Sequence, residues 1–210
     1  VQTALGFRTH SGWAALVAIG LSAQEPVVCD RRVIVLADPE IRGSKQPYHS
    51  AEPMAMARAK EFLKRCTDST YKLAVAGVTA AITELKRNEH EVVTCGMLTG
   101  SGRMPGSVEA ILASHPAIHT AEGELYRDAI GHACDRCKLL LVRIREKDAL
   151  EWAAVALRTS RVAINSRMSA LGKSVGPPWA QDQKLAALAA WVALTEIAGA
   201  QRRKAAGPTA

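Results

Sequence analysis

The segment Thr99-Gly100-Ser101-Gly102-Arg103-Met104-Pro105-Gly106-Ser107 lies between an apolar run at 92–98 and a helical stretch at 108–114. Glycines let backbone amides approach an anion closely, and a helix N-terminus behind them adds partial positive charge. Gly100, Ser101, Gly102 and Arg103 are therefore candidate phosphate contacts. The segment departs from the dinucleotide fingerprint at Pro105, where a third glycine is required, so a plain flexible connection competes with the phosphate cradle. A second polar turn, Arg8-Thr9-His10-Ser11, follows a short apolar run. It reads equally well as an anion contact or as a solvated turn.

His119, Glu122 and Glu124 form the best acid/base group in the sequence and are weak candidates for catalysis. On a helix, residues two apart point roughly 200° from one another, so Glu122 and Glu124 are not expected to serve one ion. Favourable charge in the first turn of a helix capped by Thr120 is the better account of them. His132-Ala-Cys134-Asp-Arg-Cys137 has the look of zinc ligands. On a helix, however, both thiols share a face with Ile130 and Ala133, and no fourth ligand is in evident reach. No metal site is expected from the sequence. Gly172-Lys173-Ser174 resembles the end of a P-loop, but the glycine five residues earlier is replaced by Arg167. Gly172 reads instead as a helix C-cap.

These residues must be carried by a scaffold, and composition bounds it. The chain has 210 residues, 48% hydrophobic and 22% charged, which is ordinary for one globular α/β domain. Aromatic residues are few, so Ala, Val and Leu must fill the interior, and small side chains favour close apposition of helices and strands. No run approaches the roughly 18–20 apolar residues of a membrane span. Five scattered cysteines suit reduced thiols better than a disulfide framework. The reading is therefore a soluble protein of the cytoplasm without a membrane partner. The chain starts at Val1, which leaves earlier trimming open. Its whole +7 charge surplus lies in residues 138–210, with 12 Lys and Arg against 5 Asp and Glu. A nucleic-acid partner is open on that ground, although no aromatic residues interleave with the basic ones.

Apolar runs at 3–8 and 13–21, joined by a polar turn, predict a hairpin. A third strand is expected at 27–37, ended by Asp38-Pro39, with Asp30-Arg31-Arg32 as a turn or a solvent-facing stretch. A loop at 40–53 leads to helices at 54–66 and 70–87, then to a strand at 92–98. Pro116 interrupts the next helical stretch, a helix follows at 120–137, and a strand-like run at 138–145. Two Ala-rich helices split by residues 172–178 complete the chain. The expected fold is α/β, a mixed sheet whose three-stranded antiparallel meander is extended by parallel strands, with helices on both faces. The organisation expected is a core at 1–148 and a helical extension at 149–210 packed on the same domain.

This order resembles the ribonuclease H-like fold over residues 4–145. Leu5-Gly6-Phe7-Arg8-Thr9-His10-Ser11-Gly12-Trp13-Ala14 resembles the first hairpin of resolvases and actin-type ATPases of that fold. His119-Thr120-Ala121-Glu122-Gly123-Glu124 resembles the acidic start of their last catalytic helix. The resemblance implies an aspartate on the first strand holding divalent metal, and here that place is Arg8. The second acid, expected at the end of the strand at 92–98, is also missing. Two-metal chemistry needs several converging carboxylates, so a divergent or non-catalytic member is expected. It would bind an anionic ligand (phosphate or nucleotide) or a partner protein where the 8–11 and 99–107 loops emerge. Two alternatives are a metal-dependent phosphodiester hydrolase using His119, Glu122, Glu124 and Asp38, and a nucleic-acid binder using the basic C-terminal helices. The cofactor is unknown, and the Ala-rich terminal helices leave a homodimer open.

Overall fold

The computed structural model describes residues 1–100 and 106–205, with only the backbone of 201–205. Its centre is a five-stranded sheet in the order β3-β2-β1-β4-β5. The strands are β1 (Gln2–His10), β2 (Trp13–Ser22), β3 (Glu25–Val35), β4 (Glu91–Thr99) and β5 (Leu141–Arg145). β1, β2 and β3 form the antiparallel meander, while β4 joins β1 in parallel and β5 joins β4 in parallel. The carboxyl ends of β1, β4 and β5 therefore share one edge. Asp30-Arg31-Arg32 stays within β3, where the register shifts beside Ala18 and Ile19. Arg31 donates from that strand to the carbonyls of Gly176 and Pro178, at 2.7 and 2.6 Å.

Alternation along β1 assigns its side chains to two faces. Leu5 and Phe7 enter a core with Leu16, Ile34, Cys95 and Met97 from the other strands. That face is covered by α2 (Met56–Arg87) and α4 (His115–Arg136), beside the short α1 (Pro47–Ala51) and α3 (Val108–Leu112). Ala4 faces the opposite way, into a core with Val17, Ile19 and Ile144, beneath α5 (Ala149–Ala156), α6 (Arg161–Val175) and α7 (Gln181–Ala205). Gly6 and Gly96 lie side by side in the parallel register. A methyl group on either would run into the backbone carbonyl of Ala186 or Ala189. The glycine pair and the buried run Ala186-Ala187-Leu188-Ala189-Ala190 thus let α7 sit directly on the sheet. The scarcity of large side chains is what makes this contact close.

Four helix boundaries differ from the sequence reading. The helices expected at 54–66 and 70–87 are one, because Cys66 and Thr70 continue a buried stripe from Ala59 to Leu85 across the polar Asp68 and Ser69. α4 begins at His115, five residues before Thr120. Pro116 lies in its first turn, where a missing N–H costs nothing. Thr120 is therefore no cap, and its hydroxyl donates to the Pro116 carbonyl. The first Ala-rich helix after Ala149 is broken at Leu157–Thr159, where Arg158 has a φ of 49°, and Ser160 caps α6 through its Oγ. Gly172 lies inside α6, under Trp179. Gly176, with φ 70°, ends that helix instead.

Candidate functional site

Arg8 and His10 leave β1 on the face that α7 covers, and the first turn of α7 brings Asp182 to both. The Arg8 guanidinium grips Glu146 with its Nε at 3.2 Å and a terminal nitrogen at 2.7 Å, and its other terminal nitrogen donates to Asp182. His10 Nε2 lies 2.8 Å from the same Asp182 oxygen, and its ring stacks on Trp13 with centroids 4.4 Å apart. Burial works against the Asp182 carboxylate, yet the bonds from His10 and Arg8 outweigh it and hold its pKa below the ordinary value. Two carboxylates thus converge on a guanidinium at the end of the first strand. Ser11 is exposed at the hairpin tip.

Beside this ion-pair group opens a cleft of about 790 Å³, lined by Arg8, Thr9, Gly100, Arg127, Lys147 and Lys184, among others. Gly100 faces the Arg127 guanidinium. Arg127 donates to Glu124 at 2.8 Å, and its Nε is buried with no partner. Among the described residues, Lys147 and Lys184 pair with no carboxylate. Ser101, Gly102 and Arg103 lie outside the described residues. Ser107 caps α3 by accepting from the Ala110 amide at 3.2 Å.

His119, Glu122 and Glu124 do not act together. Glu124 turns to Arg127, whereas Glu122 is 3% exposed and faces α1. One Glu122 oxygen accepts from the His49 amide at 3.0 Å and lies 3.1 Å from His49 Nδ1. Its other oxygen is buried without a partner. Burial pushes the Glu122 pKa up, against the pull of the His49 and Tyr48 contacts. His119 joins His49 and His115 in a cluster whose ligand atoms all lie within 4.8 Å of one another. His49 and His115 were missed in the sequence. The signal for the pair was the four-residue spacing His115–His119, which becomes visible once the helix starts at His115, with Pro116 in its first turn.

Glu122 and Glu124 therefore do not stand in a helix's first turn, whereas Asp182, which meets Arg8, stands in the first turn of α7. Asp38 accepts from the Ser69 hydroxyl of α2 at 2.7 Å and from the Glu40 amide of its own loop at 3.0 Å. Cys134 is buried in the α2–α4 core, Cys137 contacts Thr79, and His132 packs on Tyr71, so these three do not converge. All five cysteines are free thiols. Of the basic residues on the terminal helices, Arg167 is held by Glu25 at 2.7 Å and lies over Trp191. No described helix is long and apolar enough to cross a membrane.

No protein-family profile matches the chain, and no curated protein matches it. Solved structures do. Thermus thermophilus RuvC is 10% identical over 94% of this chain and 96% of that chain, with a TM-score of 0.49. The T. thermophilus RuvC in complex with Holliday junction substrate is 9% identical over 95% and 97%, with a TM-score of 0.51. A likeness spanning almost the whole of both chains, with a meander extended by two parallel strands, shows that this sequence takes the ribonuclease H-like fold.

Proposed function

We propose that the chain is a divergent, non-catalytic ribonuclease H-like domain that binds phosphate groups of nucleic acid in the cleft beside Arg8. One observation carries this reading: the end of β1 presents a guanidinium already gripped by Glu146 and Asp182, while Lys147 and Lys184 line the adjoining cleft and pair with no carboxylate among the described residues. A metal-dependent hydrolase needs carboxylate oxygens free to converge on its ions, and here those oxygens serve Arg8. Lysines without partners supply what phosphate binding needs, and each neutralised phosphate releases counterions. The RuvC structure with a Holliday junction favours nucleic acid as the source of the phosphates.

The test is fluorescence anisotropy with a labelled four-way DNA junction and a matching duplex over a salt series. Binding should weaken steeply with salt, and Lys147→Ala with Lys184→Ala should lower the slope of log K against log salt by about 2. Arg8→Ala should also weaken binding, because it leaves Glu146 and Asp182 uncompensated beside the cleft. Salt-independent binding, or equal affinity in the variants, defeats the reading. Cleavage of either DNA with magnesium or manganese defeats its non-catalytic half.

A further inference from the structure

We propose that His49, His115 and His119 form a site for one zinc ion, or a similar divalent cation that prefers imidazole, with Glu122 orienting the His49 ring from behind. This inference concerns the other face of the sheet and does not rest on the phosphate-binding reading.

Two ligands come from one helix. His115 and His119 are separated by four residues in α4, so their rings stand on one face one turn apart. Their Nε2 atoms are 3.1 Å from each other. Two nitrogens bound to one tetrahedral zinc at 2.0–2.1 Å stand about 3.3 Å apart, so little movement separates the observed pair from a bound one. The third ring arrives from α1, with its centroid 4.8 Å from that of His119 and 5.6 Å from that of His115.

Glu122 supplies the independent sign that the cluster is built for a ligand. It is almost wholly buried, and one oxygen fixes both the amide and the Nδ1 side of His49. A carboxylate accepting at Nδ1 places the ring hydrogen there and leaves the Nε2 lone pair free. This is the usual arrangement behind a metal-binding histidine, and it makes the imidazole a better donor. The second Glu122 oxygen has no partner although it is buried.

The donor set selects the cation. Three imidazoles suit zinc, copper or nickel, whereas magnesium and calcium require oxygen ligands. His115 and His119 are exposed, so one side of the ion would face solvent and take water as its fourth ligand. Bound there, the ion would tie α1 to the first turn of α4.

The experiment is calorimetric titration of zinc chloride into the untagged full chain, with histidine ring NMR spectra recorded alongside. Saturation at one equivalent is expected, with the signals of three of the six histidines shifting and those of His10, His90 and His132 unmoved. His115→Ala and His119→Ala should each weaken zinc by about 100-fold or more. Glu122→Gln, which acts through His49, should weaken it by about 10–100-fold. Excess magnesium should not compete. The two histidines are exposed, so their variants should keep the wild-type far-UV circular dichroism. Failure to saturate, shifts spread evenly over all six rings, or exposed-histidine variants that bind like wild type would each overturn the proposal. The NMR result decides the matter even if a variant proves unstable.

Discussion

Two groups of polar side chains stand at the same end of the sheet on opposite faces, and they differ in whether their chemistry is already used. On the α7 face, Arg8 meets Glu146 and Asp182, and His10 shares the Asp182 oxygen, so positive and negative groups satisfy one another. On the α1–α4 face, three imidazoles meet with one carboxylate behind them. Residue types alone would have ranked the first group higher, since it holds the acids. Saturation reverses that ranking: a carboxylate clamped by a guanidinium is not available to a metal ion, whereas an oriented imidazole is. The two carboxylates record the difference, with Asp182 pulled down by its partners and Glu122 pushed up by burial.

The sharpest way to break this comparison is to remove one face and ask whether the other survives. Gly6→Ala places a methyl group against the Ala186 carbonyl, which belongs to backbone and cannot swing aside. Urea unfolding should show a loss of about 3 kcal/mol or more. Below the new midpoint, DNA affinity should fall with the displaced α7 while zinc affinity persists. If zinc binding is lost in proportion, the faces are not independent.

A smaller effect is expected from Arg8→Asp, which brings a third acid to Glu146 and Asp182. The cost should be about 2–3 kcal/mol, because removing the shared cation leaves partly buried charges unpaired. Millimolar manganese should recover part of the lost melting temperature, and should leave the wild-type value unchanged. Equal melting temperatures for variant and wild type would show that the three groups do not share one site.

The sheet was legible because short apolar runs at 3–8 and 13–21 joined by a polar turn are a local property, and so was the absence of an acid at Arg8. The helix starts were not, because Pro116 reads as a break unless it is known to occupy a first turn. That one boundary hid the His115–His119 pair. It also made Glu122 look like a surface charge, although it is buried. His49 was beyond local reasoning altogether. It lies 73 residues from Glu122 in the chain and is brought there by the loop after β3. Asp182 and Glu146 were likewise visible as acids, but only α7 crossing the glycine pair shows that they belong to Arg8.

The placement of His49 depends on that loop, and Tyr126 holds it. Its buried hydroxyl lies 2.7 Å from the Ser44 carbonyl and 2.9 Å from that of Lys45, just ahead of α1. Tyr126→Phe should cost about 1–1.5 kcal/mol in urea unfolding and weaken zinc several-fold, without touching DNA binding. A change in DNA affinity instead would mean that the loop serves the cleft.

The smallest effect separates charge from shape at Asp182. Its native pKa lies below the ordinary 3.8. A lowered carboxylate contributes stability that is fully present above the unfolded-state value and is lost as pH falls through the native one. Arg8 remains charged throughout that range, so protonation of Asp182 alone removes the attraction. With the side chain 24% exposed, screening limits the contribution to about 1 kcal/mol. The stability gap between wild type and Asp182→Asn should therefore be widest above about pH 5 and should close toward about pH 2. The isosteric amide can still accept a hydrogen bond. A gap that stays constant across this range would mean that Asp182 holds Arg8 by geometry alone, and the saturation that distinguishes the two faces would then not be one of charge.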